Sequence, residues 1–229
     1  MENKRQNIKR MVMLALFCAI AFATMFVLRI KVSFLTFDAK DAVITIAAML
    51  FGPASGAIIS LVVATLELIT VSDTGFYGWV MNFCSSAVFS VLAAAIYRRS
   101  RKMRSAVIGL LSAILGMTAM MILLNLLVTP FYTGWAVAEV AAIIPTLLLP
   151  FNFIKATLNA ALVMILYKPI SLAMKKAKIT GSASVGGEGK ALPWRSIVFT
   201  LVGLAVAIIC VVVFIQLMGG DFSLFKSAA

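Results

Sequence analysis

The sequence contains no histidine, and only 8 of its 229 residues are aspartate or glutamate. Histidine is the commonest general base and metal ligand in proteins, and none of the predicted helices carries a pair of carboxylates. The phosphate-binding pattern G-x-x-x-x-G-K is also missing, so the chain does not hydrolyse ATP by that route. We therefore expect no enzyme activity, no metal site and no cofactor.

Cysteine is scarce as well, and its positions argue against redox or metal chemistry. Cys18, Cys84 and Cys210 all lie inside apolar runs, and no C-x-x-C pair exists. Cysteines in such surroundings usually serve as small packing residues, so nothing here predicts a disulfide.

Apolar residues dominate what is present. The hydrophobic fraction is 63%, the charged fraction is 12%, and the mean hydropathy is +1.09. Apolar runs of about 20 residues recur, whereas period-2 alternation does not, which favours membrane helices over a β-barrel. The net charge of +12 arises from short basic clusters between the runs, a pattern typical of a multi-pass membrane protein rather than a nucleic-acid-binding surface.

The runs predict an all-α, polytopic membrane bundle with six helices and one additional C-terminal transmembrane helix. A signal peptide is the alternative for the first run, but its length and the spans that follow favour a retained helix. The predicted spans are Met11–Leu28, Ala42–Phe51, Ala54–Thr70, Trp79–Tyr97, Ser105–Val128 and Leu147–Tyr167, followed by Ser196–Met218. Residues 1–176 would form the membrane domain, 177–195 a flexible basic linker, and 196–229 the additional helix with a short tail.

Two connections between spans are rich in polar and aromatic residues. Arg29–Asp41 is a short charged connection that fits either a solvated loop or a lid over a pocket. Thr129–Trp135 is predicted to be an aromatic turn. Both would lie on the same side of the membrane.

The most unusual helix is Leu147–Tyr167, because it contains Asn152, Lys155 and Asn159 at positions i, i+3 and i+7 of one helical face. A lysine that faces hydrocarbon costs about 2.5–3.5 kcal/mol or more, so a buried one normally faces a partner, a cavity or a ligand. The rest of the chain is interpreted as a scaffold for this face.

The distribution of cations predicts the orientation. Four cations precede the first span, five lie in Arg98–Arg104 and six in Lys168–Arg195, which gives 15 on one side. Arg29, Lys31, Lys40 and Lys226 lie on the other side, and Lys155 lies within the membrane. The positive-inside rule then places the N-terminus in the cytoplasm and the C-terminus outside.

In this orientation, polar residues from five segments lie in outer loops or in the outer halves of their spans. They are Asp38, Glu67, Asn82, Asn125, Asn152 and Lys155. Such convergence predicts a pocket that opens to the exterior, whereas the simpler alternative is a set of hydrogen bonds that hold helices together. Amides, an ammonium group and nearby aromatic residues suit a neutral, polyhydroxylated, partly aromatic ligand better than a bare metal ion.

Small residues repeat along the first span, at Ala15, Ala19 and Ala23. Such a ridge lets another helix approach closely. It serves either packing within the bundle or docking of a partner subunit, and the sequence leaves both open.

Three segments together give a family resemblance: FLTFDAKDAVITIAAMLFGPASGAIISLVV, NLLVTPFYTG and LLPFNFIKATLNAALVMILYKPI. Over residues 8–176 the chain resembles the riboflavin-specific substrate-binding (S) subunits of energy-coupling factor (ECF) transporters. The resemblance implies a six-helix bundle in the cell membrane that binds riboflavin from outside. It also implies a transmembrane coupling subunit and two cytoplasmic ATPases as partners, with inward passage when the binding subunit topples in the membrane.

The resemblance also implies roles for individual residues. Ligand contacts would fall on Asn125, Asn152 and Lys155 and, in the first outer loop, on Leu35, Phe37 and Asp38. Partner docking would fall on Ala15 and Ala19, to which we add Ala23 of the same ridge. From the residue types themselves we expect the flat ring to lie against Phe37 and Tyr132, and the converging residues Asn82 and Glu67 complete the expected site.

The linker and the span Ser196–Met218 are not part of the six-helix pattern. They keep open a second interpretation, a flavin-handling membrane subunit that supports assembly of extracytosolic flavoproteins or electron-transfer proteins. A small membrane enzyme is the third interpretation, disfavoured by the missing catalytic residues.

Overall fold

The structure is a computed structural model that describes residues 2–27, 30–32 and 35–176, together with helical positions 198, 201, 202, 205 and 209. The predicted linker and most of the predicted span Ser196–Met218, including Cys210, lie outside the described residues. In chain order the elements are α1 (Glu2–Val27), β1 (Ile30–Val32), β2 (Leu35–Phe37), α2 (Lys40–Phe51), α3 (Pro53–Thr70), α4 (Gly75–Ser100), α5 (Met103–Thr133), α6 (Val137–Ala142), a π-helical turn (Ile144–Leu148) and α7 (Leu149–Lys176).

Five helical segments in the described part of the chain are long and apolar enough to cross a membrane. They are Gln6–Val27, Pro53–Thr70, Gly75–Ser100, Met103–Thr133 and Ile144–Met174. The predicted class, a polytopic helical membrane bundle, is therefore confirmed, whereas the count of six spans plus one stays a prediction.

Helix α2 forms the centre of the bundle. Eleven of its 12 residues are buried, and it packs against α1, α3, α4 and α7. A helix that is apolar on every side belongs inside a bundle, because each face needs an apolar neighbour. At about 1.5 Å per residue α2 is roughly 18 Å long, which is less than the hydrocarbon thickness of about 30 Å.

Glycines allow two helix pairs to approach closely. A Cβ atom at Gly109 of α5 would lie 2.7 Å from the carbonyl oxygen of Ala93 in α4. A Cβ atom at Gly56 of α3 would lie 2.7 Å from the Cβ of Ala48 in α2. A side chain at either position would therefore collide with the neighbouring helix. Glycine avoids the collision and lets the helix backbones pack closely, as small residues do in membrane bundles.

The described residues of Arg29–Asp41 form regular structure, which the sequence did not predict, whereas its interpretation as a lid over a pocket stays a prediction. Strands β1 and β2 form an antiparallel hairpin, with Ile30 opposite Phe37 and Val32 opposite Leu35. Lys40, which we counted among the exterior cations, is the first residue of α2 and only 1% exposed. The solvated position was wrong for Lys40, because its ammonium group lies 2.6 Å from the carboxylate of Glu67, which compensates its charge inside the bundle.

The predicted aromatic turn also begins later than expected. Helix α5 continues through Pro130 to Thr133 and ends at Gly134, whose φ of 74° is left-handed. The Gly134 N–H donates to the Pro130 carbonyl at 3.1 Å, and the Thr133 hydroxyl donates to the Thr129 carbonyl at 2.8 Å. These bonds complete the last turn, so that a proline near the helix end does not stop it earlier.

The basic residues mark one end of the bundle. Arg10 of α1 donates to the carbonyl oxygen of Phe51 at 3.2 Å and to the hydroxyl of Ser55 at 2.9 Å. The turn between α2 and α3 therefore lies at the same end as the N-terminal part of α1, and Arg98 also reaches this turn near Gly52. We call this the arginine-rich end, and the opposite end, which carries β1 and β2, the hairpin end.

Candidate ligand-binding site

A cavity of about 540 Å³, counted to its open mouth, lies at the hairpin end. Strand β2, the first half of α4, and helices α5 and α7 contribute its walls. The lining residues are Leu35, Thr36, Thr74, Gly78, Met81, Asn82, Ser85, Met121, Tyr132, Phe151, Asn152 and Lys155. Its lining combines an ammonium group, amides and hydroxyls with apolar side chains, as sites for small organic molecules do.

Lys155 of α7 is the cation of this cavity, and it is only 5% exposed. Its ammonium group donates to the carbonyl oxygen of Thr36 at 3.1 Å and to Oδ2 of Asp38 at 3.0 Å. An ammonium group has three N–H donors, so these two bonds leave one for the cavity. Because Asp38 balances its charge, Lys155 can donate a hydrogen bond to an uncharged molecule.

A second ion pair lies beside the first. The ammonium group of Lys40 lies 2.6 Å from Oε2 of Glu67 on α3 and 3.7 Å from Oδ2 of Asp38. Asp38 thus stands between two lysines, and the charges of Lys155, Asp38, Lys40 and Glu67 alternate. Buried ions of one sign would be costly, whereas alternating signs compensate one another inside the bundle.

Asn159, predicted to share the polar face of α7, holds the junction between the hairpin and α2. Its Oδ1 accepts from the backbone N–H of Ala42 at 2.9 Å. Its amide nitrogen donates to the carbonyl oxygens of Asp38 at 3.0 Å and Lys155 at 3.1 Å. This one side chain therefore positions Asp38 relative to α7.

Two further amides were predicted to bind ligand. Asn152 of α7 lines the cavity, and its amide nitrogen donates to the Leu148 carbonyl at 2.7 Å. Asn125 of α5 is fully buried behind the cavity wall. Its Oδ1 accepts from the hydroxyl of Thr129 at 3.0 Å, and that hydroxyl lies 3.3 Å from the hydroxyl of Tyr132, which lines the cavity.

The remaining walls are aromatic and apolar. Phe37 packs edge to face against Phe151, with 6.4 Å between ring centroids. Tyr77 of α4 packs against Tyr132 at 6.2 Å between centroids. Of these rings, Phe151 and Tyr132 line the cavity, and together with Leu35 they offer a flat ligand an apolar surface.

The structure separates the nine predicted ligand residues into two groups. Five line the cavity: Leu35, Asn82, Tyr132, Asn152 and Lys155. Four lie outside its lining and contact residues around it: Phe37, Asp38, Glu67 and Asn125. The predicted docking residues Ala15, Ala19 and Ala23 all lie on the exposed side of α1.

Sequence reasoning missed the hydroxyl groups of this cavity, of which Ser85 is the clearest. Ser85 is 2% exposed, and its Oγ has no hydrogen-bond partner among the described residues. A buried hydroxyl without a partner is unfavourable, and a ligand could supply the missing bond. Its spacing of three residues from Asn82 on α4 is the signal that could have identified it.

The cavity shows no arrangement for a metal ion. Within the described part of the chain, no three side chains of cysteine, aspartate or glutamate come together in a way that could hold one. The donors that do converge are amides, hydroxyls and one ammonium group.

Comparison with known proteins adds independent findings. Residues 9–167 match the family model described as "ECF transporter, substrate-specific component". The chain is 32% identical over 184 residues to the riboflavin transporter RibU of Staphylococcus aureus strain TCH60, which covers 76% of this chain and 96% of that protein. It also superposes with a TM-score of 0.64 and 30% identity on a solved structure of the S component of a bacterial ECF transporter, covering 74% of this chain and 99% of the other.

Proposed function

Because the chain belongs to the family of substrate-specific components of ECF transporters, we propose that it binds riboflavin and is the riboflavin-binding subunit of such a transporter. The observation that supports this most directly is Lys155, whose charge is balanced by Asp38 while one N–H remains for the cavity. Riboflavin is uncharged, so a charge-balanced donor suits it.

The chemistry of the cavity walls matches the two parts of riboflavin. The ribityl chain carries hydroxyl groups, for which Lys155, Asn152, Asn82 and Ser85 offer donors and acceptors in a site largely withdrawn from water. The isoalloxazine ring is flat and aromatic, and it would lie against Tyr132 and the apolar part of the lining.

The residues outside the lining would act through those that line it. Asp38 would orient Lys155 through their ion pair, and Glu67 would act one step further away, through Lys40 and Asp38. Asn125 would orient Tyr132 through Thr129, and Phe37 would support Phe151.

The direction of transport follows from the orientation that the cations predict. With the arginine-rich end in the cytoplasm, the hairpin end and its cavity face the exterior. Riboflavin would enter from outside and pass inward when the subunit topples. A transmembrane coupling subunit would dock on the exposed ridge Ala15, Ala19 and Ala23, and two cytoplasmic ATPases would supply the energy.

Uptake of radiolabelled riboflavin tests this function in cells that make no riboflavin and lack other uptake systems. We expect uptake when the chain is produced together with a coupling subunit and two ATPases of an ECF transporter, and none with an ATPase variant that cannot hydrolyse ATP. Uptake equal to that of cells without the chain would contradict the proposal.

A further inference from the structure

A second cavity lies at the arginine-rich end, away from the site described above. It is a groove of about 400 Å³, counted to its open mouth, between the last part of α2, the first part of α5 and the second half of α7. Its walls are apolar and rich in methionine, including Met49, Met103 and Met164, and Lys168 is its charged residue. Methionine side chains are flexible and adapt to ligands of variable shape.

The rim of this cavity is basic. Lys168 lines it, and Arg101 ends α4 one turn after Tyr97, whose ring packs against that of the lining residue Tyr167. Tyr167 is itself fixed by a 2.7 Å hydrogen bond to Tyr97. Lys168 and Arg101 are both half-buried, so their charges lie close to the apolar walls rather than fully in water.

Arg101 adopts a backbone conformation that is unusual for its residue type. Its φ of 50° is left-handed, and its N–H donates to the Tyr97 carbonyl at 2.8 Å to end α4. Glycine is the usual residue at such a helix end, because a side chain is unfavourable there. Arginine at this position puts a positive charge at the end of α4, at the same end of the bundle as the cavity.

Among the described residues, the ion pairs that carboxylates form involve Lys40 and Lys155, not Lys168 or Arg101. Five cations lie in Arg98–Arg104, and no acidic residue occurs between Asp73 and Glu139. The described carboxylates of Asp38 and Glu67 are engaged with lysines near the hairpin end. The rim therefore favours an anionic partner, and the apolar cavity beneath it favours a partner with an apolar chain.

We propose that this cavity binds an anionic phospholipid. The phosphate would lie between Lys168 and Arg101, and an acyl chain would enter the methionine-rich cavity between α5 and α7. Basic pockets between membrane helices recognise anionic headgroups in this way, and Met103 of the lining is 44% exposed, so the cavity is open at this residue.

Thermal unfolding of the purified full-length chain in detergent tests the proposal, with added dioleoylphosphatidylglycerol or the neutral dioleoylphosphatidylcholine. We expect phosphatidylglycerol to stabilise the chain at a concentration about tenfold lower than phosphatidylcholine. Glycerol phosphate, which has the anion but no acyl chain, should not reproduce this. Equal stabilisation by both lipids, or full stabilisation by glycerol phosphate, would overturn the proposal.

Two variants test the headgroup and the acyl chain separately. Lys168→Gln removes the cation of the lining, and Ala106→Phe fills the cavity; each should abolish the preference for phosphatidylglycerol. Arg99→Gln removes an exposed charge at the same end without changing the lining and should keep it. If the preference for phosphatidylglycerol survives both site variants, or if Arg99→Gln removes it as well, the lipid is attracted by the overall positive charge of this end. Either result would refute the site.

Discussion

Lys155 of α7 and Asp38, the residue that follows the hairpin, form a buried ion pair with 3.0 Å between Nζ and Oδ2, although 117 residues separate them in the chain. The pair joins the helix that carries the candidate ligand donors to the hairpin beside the cavity. It also lets a lysine remain charged inside the bundle while one of its N–H groups is free to face a ligand.

Lys155→Ala should weaken both folding and binding. Removal of the ammonium group leaves Asp38 buried near Lys40 alone, and breaking a buried pair costs about 3–5 kcal/mol. A lost hydrogen bond from a charged group should lower riboflavin affinity by about 10–100-fold. Fluorescence quenching and thermal unfolding measure the two effects. The double variant D38N/K155Q should recover stability but not affinity, and normal affinity in either variant would refute the site.

Glu67→Gln should act mainly on stability. The carboxylate of Glu67 lies 2.6 Å from Lys40 and does not belong to the cavity lining, so its loss should lower the unfolding temperature more than the riboflavin affinity. Glu139→Gln, at an exposed position, is the matched control and should change neither. Affinity reduced as strongly as in Lys155→Ala, with stability unchanged, would instead mean that Glu67 contacts the ligand.

Asn159→Ala should loosen the hairpin and the start of α2 together. The side chain makes three buried hydrogen bonds, each worth about 0.5–1.5 kcal/mol, so a loss of about 2–4 kcal/mol is expected. Hydrogen exchange should then increase at Ala42 and along the hairpin. Thr157→Ala, which removes one exposed hydrogen bond on the same helix, is the control. Unchanged exchange in Asn159→Ala would show that the hairpin is held by other contacts.

Ala15→Leu should spare riboflavin binding and block uptake. Ala15 lies on the exposed ridge of α1, far in sequence from the cavity-lining segments, and a larger side chain would keep a partner helix from approaching. Ala119→Leu makes the same change at an exposed position of α5 and should leave uptake normal. If Ala15→Leu cells take up riboflavin at the normal rate, the ridge is not the docking surface.

Two glycines of α5 should differ in their tolerance of alanine. At Gly109 a Cβ atom would lie 2.7 Å from the backbone oxygen of Ala93, which cannot move aside without shifting α4. At Gly116 the nearest atom is the end of the Leu92 side chain, which can rotate away. Gly109→Ala should therefore cost about 1–3 kcal/mol and Gly116→Ala much less, as measured by thermal unfolding. Equal effects would contradict the close packing of α4 and α5.

The long apolar runs predicted the bundle well because hydropathy is a local property. Each of the five long spans overlaps its predicted range, although α1 begins nine residues before Met11 and α7 ends nine residues after Tyr167. The position of Lys40 could not be predicted in this way. Its burial depends on Glu67, 27 residues later on another helix, and no local pattern indicates that the two will meet.

For the candidate site, too, the sequence predicted only what depends on local spacing. Asn152 and Lys155 share a helical face with Asn159, and this spacing was visible in the sequence. Their different roles depend on how α7 is rotated against α2. Asn159 bonds to the backbone at Asp38, whereas Asn152 and Lys155 line the cavity. The unpartnered hydroxyl of Ser85 becomes evident only when its surroundings are known.

The central claim is that charge-balanced donors from separate helices bind an uncharged flavin, and a titration of the purified chain tests it most directly. Quenching of flavin fluorescence would measure the binding of riboflavin and of its phosphorylated form. For unrelated vitamins, the absorbance of the protein after gel filtration would show whether the vitamin stays bound. We predict saturable binding of one riboflavin per chain, with an affinity that changes little between low and high salt because the ligand is neutral. No saturable binding of riboflavin, or an affinity that falls steeply with salt, would contradict the account.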